Sequence, residues 1–309
     1  MNPVHGALRK AILAAADSAK LQQFVRKHGL RLGAARFVAG ETIDQAVPVL
    51  QGLNERGLLT NTTVLGEGVS SENETRDVVD AYKALLDRIE TERLKTNVAL
   101  KLTHLGLAFN EELAYANVAE LVDHARDHGN FIRIDMEESA YADATVRTFR
   151  RLRESGRGNV GTVLQSYLYR TEGDFESLLD LTPNLRLVKG AYLEPPDVAY
   201  PRKEDVDAAY TRLLERMLAG GGFTAIATHD ERLISHAISY AEREGIARER
   251  FQFQMLYGVR PKLQVDLAGR GYSVLVATPY GPDWYRYLMR RLAERPANLM
   301  FFARSLIRR

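Results

Sequence analysis

Cysteine is absent from the 309 residues of this sequence. Its absence excludes disulfides, iron–sulfur clusters, thiolate zinc sites and a cysteine nucleophile. Long apolar runs are also missing. None reaches the roughly 18 residues of a membrane-spanning helix, and the N-terminal run Ala11–Ala16 ends at Asp17, too short for a secretory signal. Neither sign of charge dominates, since 42 basic and 40 acidic residues give no basis for nucleic-acid binding. We therefore expect a cytoplasmic protein.

The chain falls into two parts that differ in hydrophobic pattern. Residues 1–60 have apolar positions at helical spacing only, which predicts a small N-terminal helical segment. From residue 61 onward, eight short apolar or β-branched runs alternate with helix-like stretches. The predicted strands lie within Thr62–Val69, Val98–Leu105, Phe131–Glu137, Val160–Tyr167, Leu185–Tyr192, Phe223–His229, Phe251–Tyr257 and Ser273–Thr278.

Eight β–α units in series predict a parallel sheet covered by helices, and eight strands close into a (β/α)8 barrel of the TIM type. An open, doubly wound sheet is the alternative, although no segment has the pattern of an antiparallel edge hairpin. Helices are predicted to begin at Ser71, which forms a capping box with Glu74, and at Asp230. The predicted domains are thus an N-terminal helical segment, residues 1–60, and a catalytic barrel, residues 61–309.

Charged and polar residues recur at the ends of the predicted strands, where a barrel of this kind builds its active site. A charged side chain there must point into the barrel or lie at its mouth, so each one needs a partner. Buried ion pairs that bind no ligand are the alternative interpretation. The candidates include Glu67, Lys101, Asp135, Gln165, Arg186, Lys189, Thr228 and His229.

Three further patterns are ambiguous or misleading. Gly156–Gly161 matches GxGxxG, but it precedes a strand, whereas a dinucleotide-binding loop follows one. His124 and His128 lie four residues apart without the glutamate of an HExxH motif, so we predict a solvated face and no metal site. Arg290 and Arg291 are either a solvated helix face, with Glu294 as an ion-pair partner, or a bidentate clamp for a carboxylate.

Five motifs, in order along the chain, resemble those of the proline dehydrogenase family. Arg186–Tyr192, followed by Glu-Pro, is similar to the family's fifth strand, and Tyr287–Glu294 resembles the signature of its eighth helix. Lys101–Thr103, Asp135–Glu138 and Thr228–His229 fall in the family's order. The resemblance covers about residues 60–309. The length is similar to the short monofunctional bacterial form, and the motifs are similar to the proline dehydrogenase domain of bifunctional proline utilisation proteins.

The resemblance implies a (β/α)8 barrel with non-covalently bound FAD that oxidises L-proline to Δ1-pyrroline-5-carboxylate, the first step of proline catabolism to glutamate. It further implies hydride transfer from proline C5 to flavin N5, a membrane quinone as electron acceptor and a pyrroline-5-carboxylate dehydrogenase as a partner. Residue by residue, it implies catalytic roles for Asp135 and Arg186. The substrate site would comprise Lys101, Tyr192, Arg290 and Arg291. The FAD site would comprise Met136, Gln165, Lys189, Gly190, Ala191, Thr228, His229 and Glu294. Glu67 matches the acid that pairs with the second arginine when the site closes.

One position departs from the family's pattern. Ala277 stands where many relatives have a tyrosine, which leaves open how tightly the proline ring is packed and whether hydroxyproline is excluded. The rival enzyme class is a Schiff-base aldolase or lyase that uses Lys189, and a third interpretation is a non-catalytic carboxylate-binding protein. The basic, amphipathic segment Leu299–Arg309 is interpreted either as a helix packed on the barrel or as a peripheral contact with the inner face of the membrane.

Overall fold

The computed structural model describes residue 23, residues 34–66 and residues 69–294, with the backbone alone at residues 34 and 290–294. Its centre is a closed barrel of eight parallel strands in sequential order, which confirms the predicted fold class. The first and last strands close the barrel, with Leu59 opposite Leu275 and Thr60 opposite Val276. The strands are β1 (Leu59–Thr62), β2 (Thr96–Leu100), β3 (Ile132–Ile134), β4 (Val160–Gln165), β5 (Asn184–Val188), β6 (Phe223–Ala227), β7 (Phe251–Leu256) and β8 (Val274–Ala277).

Amphipathic helices cover the outside of the barrel. α2, for example, buries Val79, Leu86 and Ile89 and leaves its opposite face polar. The predicted N-caps are confirmed: the side chain of Ser71 accepts from the amide of Glu74, and Asp230 accepts from the amide of Arg232. The capping box differs in its second bond, because the carboxylate of Glu74 accepts from the amide of Ser70. The helices described are α1 (Ile43–Glu55), α2 (Glu72–Thr91), α3 (Glu111–Asp127), α4 (Ala142–Glu154), α5 (Thr171–Leu178), α6 (Lys203–Ala219), α7 (Glu231–Arg243), α8 (Pro261–Gly269) and α9 (Trp284–Glu294).

The first strand lies earlier than the hydrophobic pattern predicts. β1 ends at Thr62, where the predicted strand begins. The hydrophobic pattern missed it because Thr60, Asn61 and Thr62 are polar yet buried. The hydroxyl of Thr60 lies 2.5 Å from that of Thr96, and the hydroxyl of Thr62 donates to the carbonyl of Thr278 at 2.9 Å. These bonds satisfy the buried hydroxyls of β1, so burial here does not require apolar residues.

The segment before the barrel contributes α1, which packs on β1. This helix ends at Glu55, before the predicted domain boundary at residue 60. Most of residues 1–33 and the segment Leu299–Arg309 lie outside the described residues, so the interpretations placed on them stay predictions. Among the helices that the structure describes, none combines the length and the apolar character needed to cross a membrane.

Candidate active site

A cavity of about 740 Å³ lies at the carboxyl ends of the strands. Its wall includes residues of β4 to β8 and of the segments that follow β2, β3, β5, β6 and β7. Eleven of the residues predicted for the site line it: Lys101, Asp135, Met136, Gln165, Arg186, Lys189, Gly190, Ala191, Tyr192, Thr228 and His229. Of the other four, Glu67 lies outside the described residues, and Arg290, Arg291 and Glu294 lie on α9, where only the backbone is described.

An ion pair between Asp135 and Arg186 lies in the floor of the cavity. The guanidinium Nη1 of Arg186 donates to Oδ1 of Asp135 at 2.8 Å, and its Nε donates to Gln254 at 2.6 Å. Arg186 is only 9% exposed. Burial lowers the pKa of Arg186, because it disfavours the charged form. The carboxylate of Asp135 opposes that decrease, because a neighbouring opposite charge favours the charged form.

A network of neutral polar side chains holds the guanidinium of Arg186 in place. Gln254 donates to the side-chain oxygen of Gln252 at 2.9 Å, and Gln252 donates to the hydroxyl of Ser273 at 2.8 Å. On the other side, Nη2 of Arg186 lies 3.4 Å from the side-chain oxygen of Asn61. Because its donors have fixed acceptors in three directions, the guanidinium is held in one orientation.

A second polar group lies where β3 and β4 end. Gln165 donates to the backbone carbonyl of Glu137 at 2.8 Å. The buried carboxylate of Glu137 accepts from the amide and the hydroxyl of Thr103, at 3.1 and 2.6 Å. Burial raises the pKa of Glu137, and the bonds from Thr103 and the charge of Lys101 offset only part of that increase. These contacts fix the segment after β2 against the segment after β3, where Lys101 and Met136 face the cavity.

Lys189 follows the end of β5 and lies between two carboxylates. Its amine donates to Asp207 at 2.5 Å and to Asp230 at 3.5 Å. The side-chain bond from Arg232 is the main cause that lowers the pKa of Asp230 to about 2. Nearby, Nε2 of His229 accepts from the amide of Leu256 at 2.9 Å, which places the ring proton of a neutral His229 on Nδ1.

The segment after β5 depends on a glycine. Gly190 has φ of +119°, and a Cβ there would lie 2.2 Å from the ring of Tyr167. A side chain would therefore both strain the backbone and displace an aromatic ring. Further along, Glu194 accepts from the amide and the hydroxyl of Ser139 at 2.7 and 2.6 Å, which ties this segment to the one that follows β3.

Several lining residues were not predicted as site residues. Asp230 was predicted only as a helix cap, and Gln254 lies in the predicted seventh strand without a predicted role. Arg260 follows β7 and donates to the carbonyl of His229 at 2.9 Å; its position just after a strand end is the signal that could have found it. Others without a predicted role are Lys203, Glu231, Arg232, Val163, Val188, Ala227, Met255, Leu256 and Val259. Ala277, the position that departs from the family's pattern, also lines the cavity.

Known proteins match this chain over nearly its whole length. The family model described as proline dehydrogenase matches residues 46–304. A proline dehydrogenase of Deinococcus radiodurans is 43% identical over 304 residues, covering 97% of this chain and 98% of that protein. Proline dehydrogenase 1 of Bacillus subtilis is 39% identical over 302 residues, covering 98% of this chain and all of that protein.

Larger proteins match over one part of their length. The bifunctional protein PutA of Escherichia coli is 26% identical over 321 residues, which span 89% of this chain and 24% of that protein. The crystal structure of proline utilization A from Bdellovibrio bacteriovorus, inactivated by N-propargylglycine, superimposes with a TM-score of 0.81 at 23% identity. It covers 93% of this chain and 36% of the larger one, and at that identity it bears on the fold alone. On the family model and the two full-length relatives, this chain belongs to the proline dehydrogenase family.

Proposed function

We propose that this protein catalyses the FAD-dependent oxidation of L-proline to Δ1-pyrroline-5-carboxylate. The observation that carries the proposal is the Asp135–Arg186 pair, fixed by Gln254 in a cavity whose other walls are partly apolar. Proline is a small zwitterion with an aliphatic ring. Its site must combine charged groups for the carboxylate with an apolar wall for the ring, and both lie at the strand ends of this barrel.

The lining of the cavity fits FAD in two respects. Its inner part contains the apolar side chains of Met136, Val163, Val188, Met255 and Leu256, which suit the faces of a flavin ring. Towards the solvent, four basic side chains face three carboxylates, which leaves positive charge for a diphosphate. The basic residues are Lys189, Lys203, Arg232 and Arg260, and the acids are Asp207, Asp230 and Glu231.

The chemistry that FAD supplies when bound is the acceptance of a hydride at flavin N5 from proline C5. The residues that would hold FAD are those implied by the resemblance, namely Met136, Gln165, Lys189, Gly190, Ala191, Thr228, His229 and Glu294. Seven of these eight line the cavity, and the side chain of Glu294 lies outside the described residues.

The protein's own groups bind and orient the substrate. Arg186 holds a fixed positive charge in a partly buried site, and such a charge stabilises a neighbouring group that becomes anionic. Lys101 lines the same cavity and would bind the proline carboxylate together with Arg290 and Arg291; Tyr192 would line the ring pocket. Glu67 would pair with the second arginine when the site closes. The amine of proline must be neutral for its lone pair to assist loss of the hydride.

The fate of the electrons and of the product is part of the proposal. Electrons would pass to a membrane quinone, and a pyrroline-5-carboxylate dehydrogenase would consume the product. Both fit a cytoplasmic enzyme that contacts the inner face of the membrane through Leu299–Arg309.

The geometry gives less support to the Schiff-base alternative. Imine formation requires an amine that is presented to a carbonyl carbon. The amine of Lys189 donates to Asp207 and Asp230, and both contacts would have to break first. We therefore prefer the flavoenzyme.

A visible absorbance spectrum of the purified protein tests the proposal. The flavoenzyme is yellow and bleaches when L-proline is added under anaerobic conditions. A Schiff-base enzyme is colourless and loses activity after treatment with substrate and borohydride. A colourless protein that neither oxidises proline when supplied with FAD nor reacts with borohydride would leave only carboxylate binding and would overturn the proposal.

A further inference from the structure

Four side chains converge where α2 and α3 end, on the face of the barrel opposite the cavity. Asp87 and Glu90 lie on the last turns of α2, and His124 lies on the last turn of α3, with His128 directly after it. These helix ends lead into the starts of β2 and β3, whereas the cavity lies at the strands' carboxyl ends. This cluster therefore lies away from the candidate active site and takes no part in it.

Three of these side chains direct one atom each towards a common point. Nε2 of His124 lies 2.7 Å from Oδ1 of Asp87, and Nε2 of His128 lies 2.9 Å from the same oxygen. The two Nε2 atoms are 3.3 Å apart. A tetrahedral Zn²⁺ ion with bonds of about 2.0–2.1 Å has donor atoms roughly 3.3 Å apart, so the spacing needs only small adjustments to match a metal site.

The fourth side chain fixes where one imidazole carries its proton. The carboxylate of Glu90 contacts Nδ1 of His128, and because a carboxylate only accepts, that nitrogen carries the proton. In a neutral imidazole the lone pair of Nε2 then faces the oxygen of Asp87. Two lone pairs at 2.9 Å repel each other unless a cation lies between them. A carboxylate that orients a histidine through its outer nitrogen is a recurrent feature of metal sites.

We propose that Asp87, His124 and His128 bind one divalent first-row transition-metal ion, with Zn²⁺ as the reference ion and Glu90 as the residue that orients His128. Two imidazoles and a carboxylate suit such ions, and water would complete the coordination. The side chains of His124 and His128 are 27% and 21% exposed and that of Asp87 is 55% exposed, so an ion can reach the site from solution. The proposal differs from the sequence-based prediction of a solvated face without a metal, because Asp87 lies 37 residues before His124 and sequence spacing did not indicate it.

A bound ion would cross-link two neighbouring helices on the outside of the barrel. Anything that binds only the folded state stabilises it by mass action. The first experiment titrates ZnCl₂ into full-length, tag-free protein that has been treated with EDTA and dialysed. We expect one saturable site by calorimetry. The melting temperature should rise by roughly 5 °C when free Zn²⁺ is about 100-fold above its dissociation constant.

Variants locate the site. His128→Gln should weaken Zn²⁺ binding at least 10-fold and abolish the rise in melting temperature, and Glu90→Gln should weaken binding about 10-fold. His236→Gln is the matched control, because His236 also bonds a carboxylate, that of Glu215 at 2.8 Å, on two other helices. That variant should bind Zn²⁺ like the wild type. Melting in EDTA shows that each variant is folded.

Two results would overturn the proposal. The first is a wild-type titration without a saturable site, which would mean that a proton alone joins these side chains. The second is unchanged binding in the His128→Gln variant, which would place the ion elsewhere. Neither result bears on proline oxidation.

Discussion

Two buried arginines inside the barrel have different environments. Arg186 faces the cavity and pairs with Asp135, whereas Arg133 lies deeper and donates to the backbone carbonyls of Thr162 and Asn184 at 2.9 and 2.8 Å. Gly161 leaves room for it, since a Cβ there would lie 2.5 Å from the guanidinium. Burial and the charge of Arg186 lower the pKa of Arg133. We infer that Arg133 has a structural role inside the barrel and that Arg186 contacts the ligand in the cavity.

Replacing Arg186 separates its charge from its geometry. Arg186→Lys keeps the charge but cannot reach Asp135, Gln254 and Asn61 together, and we expect kcat/KM for proline to fall about 10-fold. Arg186→Gln also removes the charge, and the loss should be about 10²- to 10³-fold, as for other fixed groups that stabilise a developing charge. Steady-state kinetics with a dye acceptor measures both variants. Equal, small losses would mean that Arg186 only fills space.

Burial of the Glu137 carboxyl group predicts how the stability of the protein depends on pH. Burial raises its folded pKa above the ordinary value of 4.5, so its ionised form is penalised in the folded protein. That penalty is absent below the unfolded pKa and develops as pH rises through the folded pKa. Glu137→Gln has no charge to bury and keeps an acceptor for Thr103. The difference in melting temperature, variant minus wild type, should therefore be more positive at pH 8 than at pH 4.5. A difference that does not change with pH would contradict this argument.

At the scale of the elements, periodicity predicted the order of strands and helices but not every position. Seven predicted runs overlap their strands by three residues or more, because parallel barrel strands are apolar on the side that packs under the helices. β1 was placed too late, because Thr60, Asn61 and Thr62 are polar residues that are buried and hydrogen-bonded. Side-chain partners brought together from distant parts of the chain, such as Lys189 with Asp207 and Asp230, leave no local pattern and could not be predicted.

Some residues of the candidate site were predicted and others were not, because only some of them leave a local pattern in the sequence. Asp135, Arg186 and Lys189 were found because a charge at a strand end is unusual in any sequence. Lys203 begins a helix, where charges are common, and nothing in the sequence distinguished it. The resemblance to a family supplied the roles, and residue chemistry alone supplied only the candidates.

The segment after β5 has a glycine whose replacement tests the shape of the loop. Gly190→Ala would place a methyl group against Tyr167 at a positive φ, so we expect a lower melting temperature and a lower yield of bound flavin. Gly173→Ala is the control, because Gly173 lies in α5 with no atom within 4 Å of an added Cβ. There the change should raise stability by about 0.5–1 kcal/mol. If both variants retain flavin equally, the loop tolerates a side chain and the packing argument is wrong.

Over the whole molecule, ion pairs join consecutive outer helices. Arg76 on α2 donates to Glu120 on α3, and arginines of α4 and α6 reach acids of α3 and α5. Bonds from Arg76 are the main cause that lowers the pKa of Glu120 to about 2. The pairs between helices include Arg147–Glu111, Arg151–Glu112, Arg212–Glu172 and Arg216–Glu176. Single exposed pairs contribute about 0–1 kcal/mol, but these pairs act together at three helix contacts, α2–α3, α3–α4 and α5–α6.

This arrangement predicts a dependence of stability on salt. Raising NaCl from 20 mM to 500 mM shortens the screening length, and the melting temperature should fall by a few degrees. The double variant Arg147→Gln, Arg151→Gln removes two of the pairs between α3 and α4. At low salt the melting temperature of this variant should be lower than that of the wild type. It should also fall less when NaCl is added. Parallel salt curves for the two proteins would show that these pairs do not contribute.

The pairing of β1 with β8 determines when a growing chain can finish folding. Residues 59–62 leave the ribosome more than two hundred residues before residues 274–277, so one edge of the first strand has no neighbour for most of synthesis. An unpaired strand edge attracts other chains. Any fragment that ends before β8 is thus an open sheet with two unpaired edges, which can associate with other chains. We expect nonsense fragments of this protein to aggregate or be degraded rather than to persist as partly active barrels.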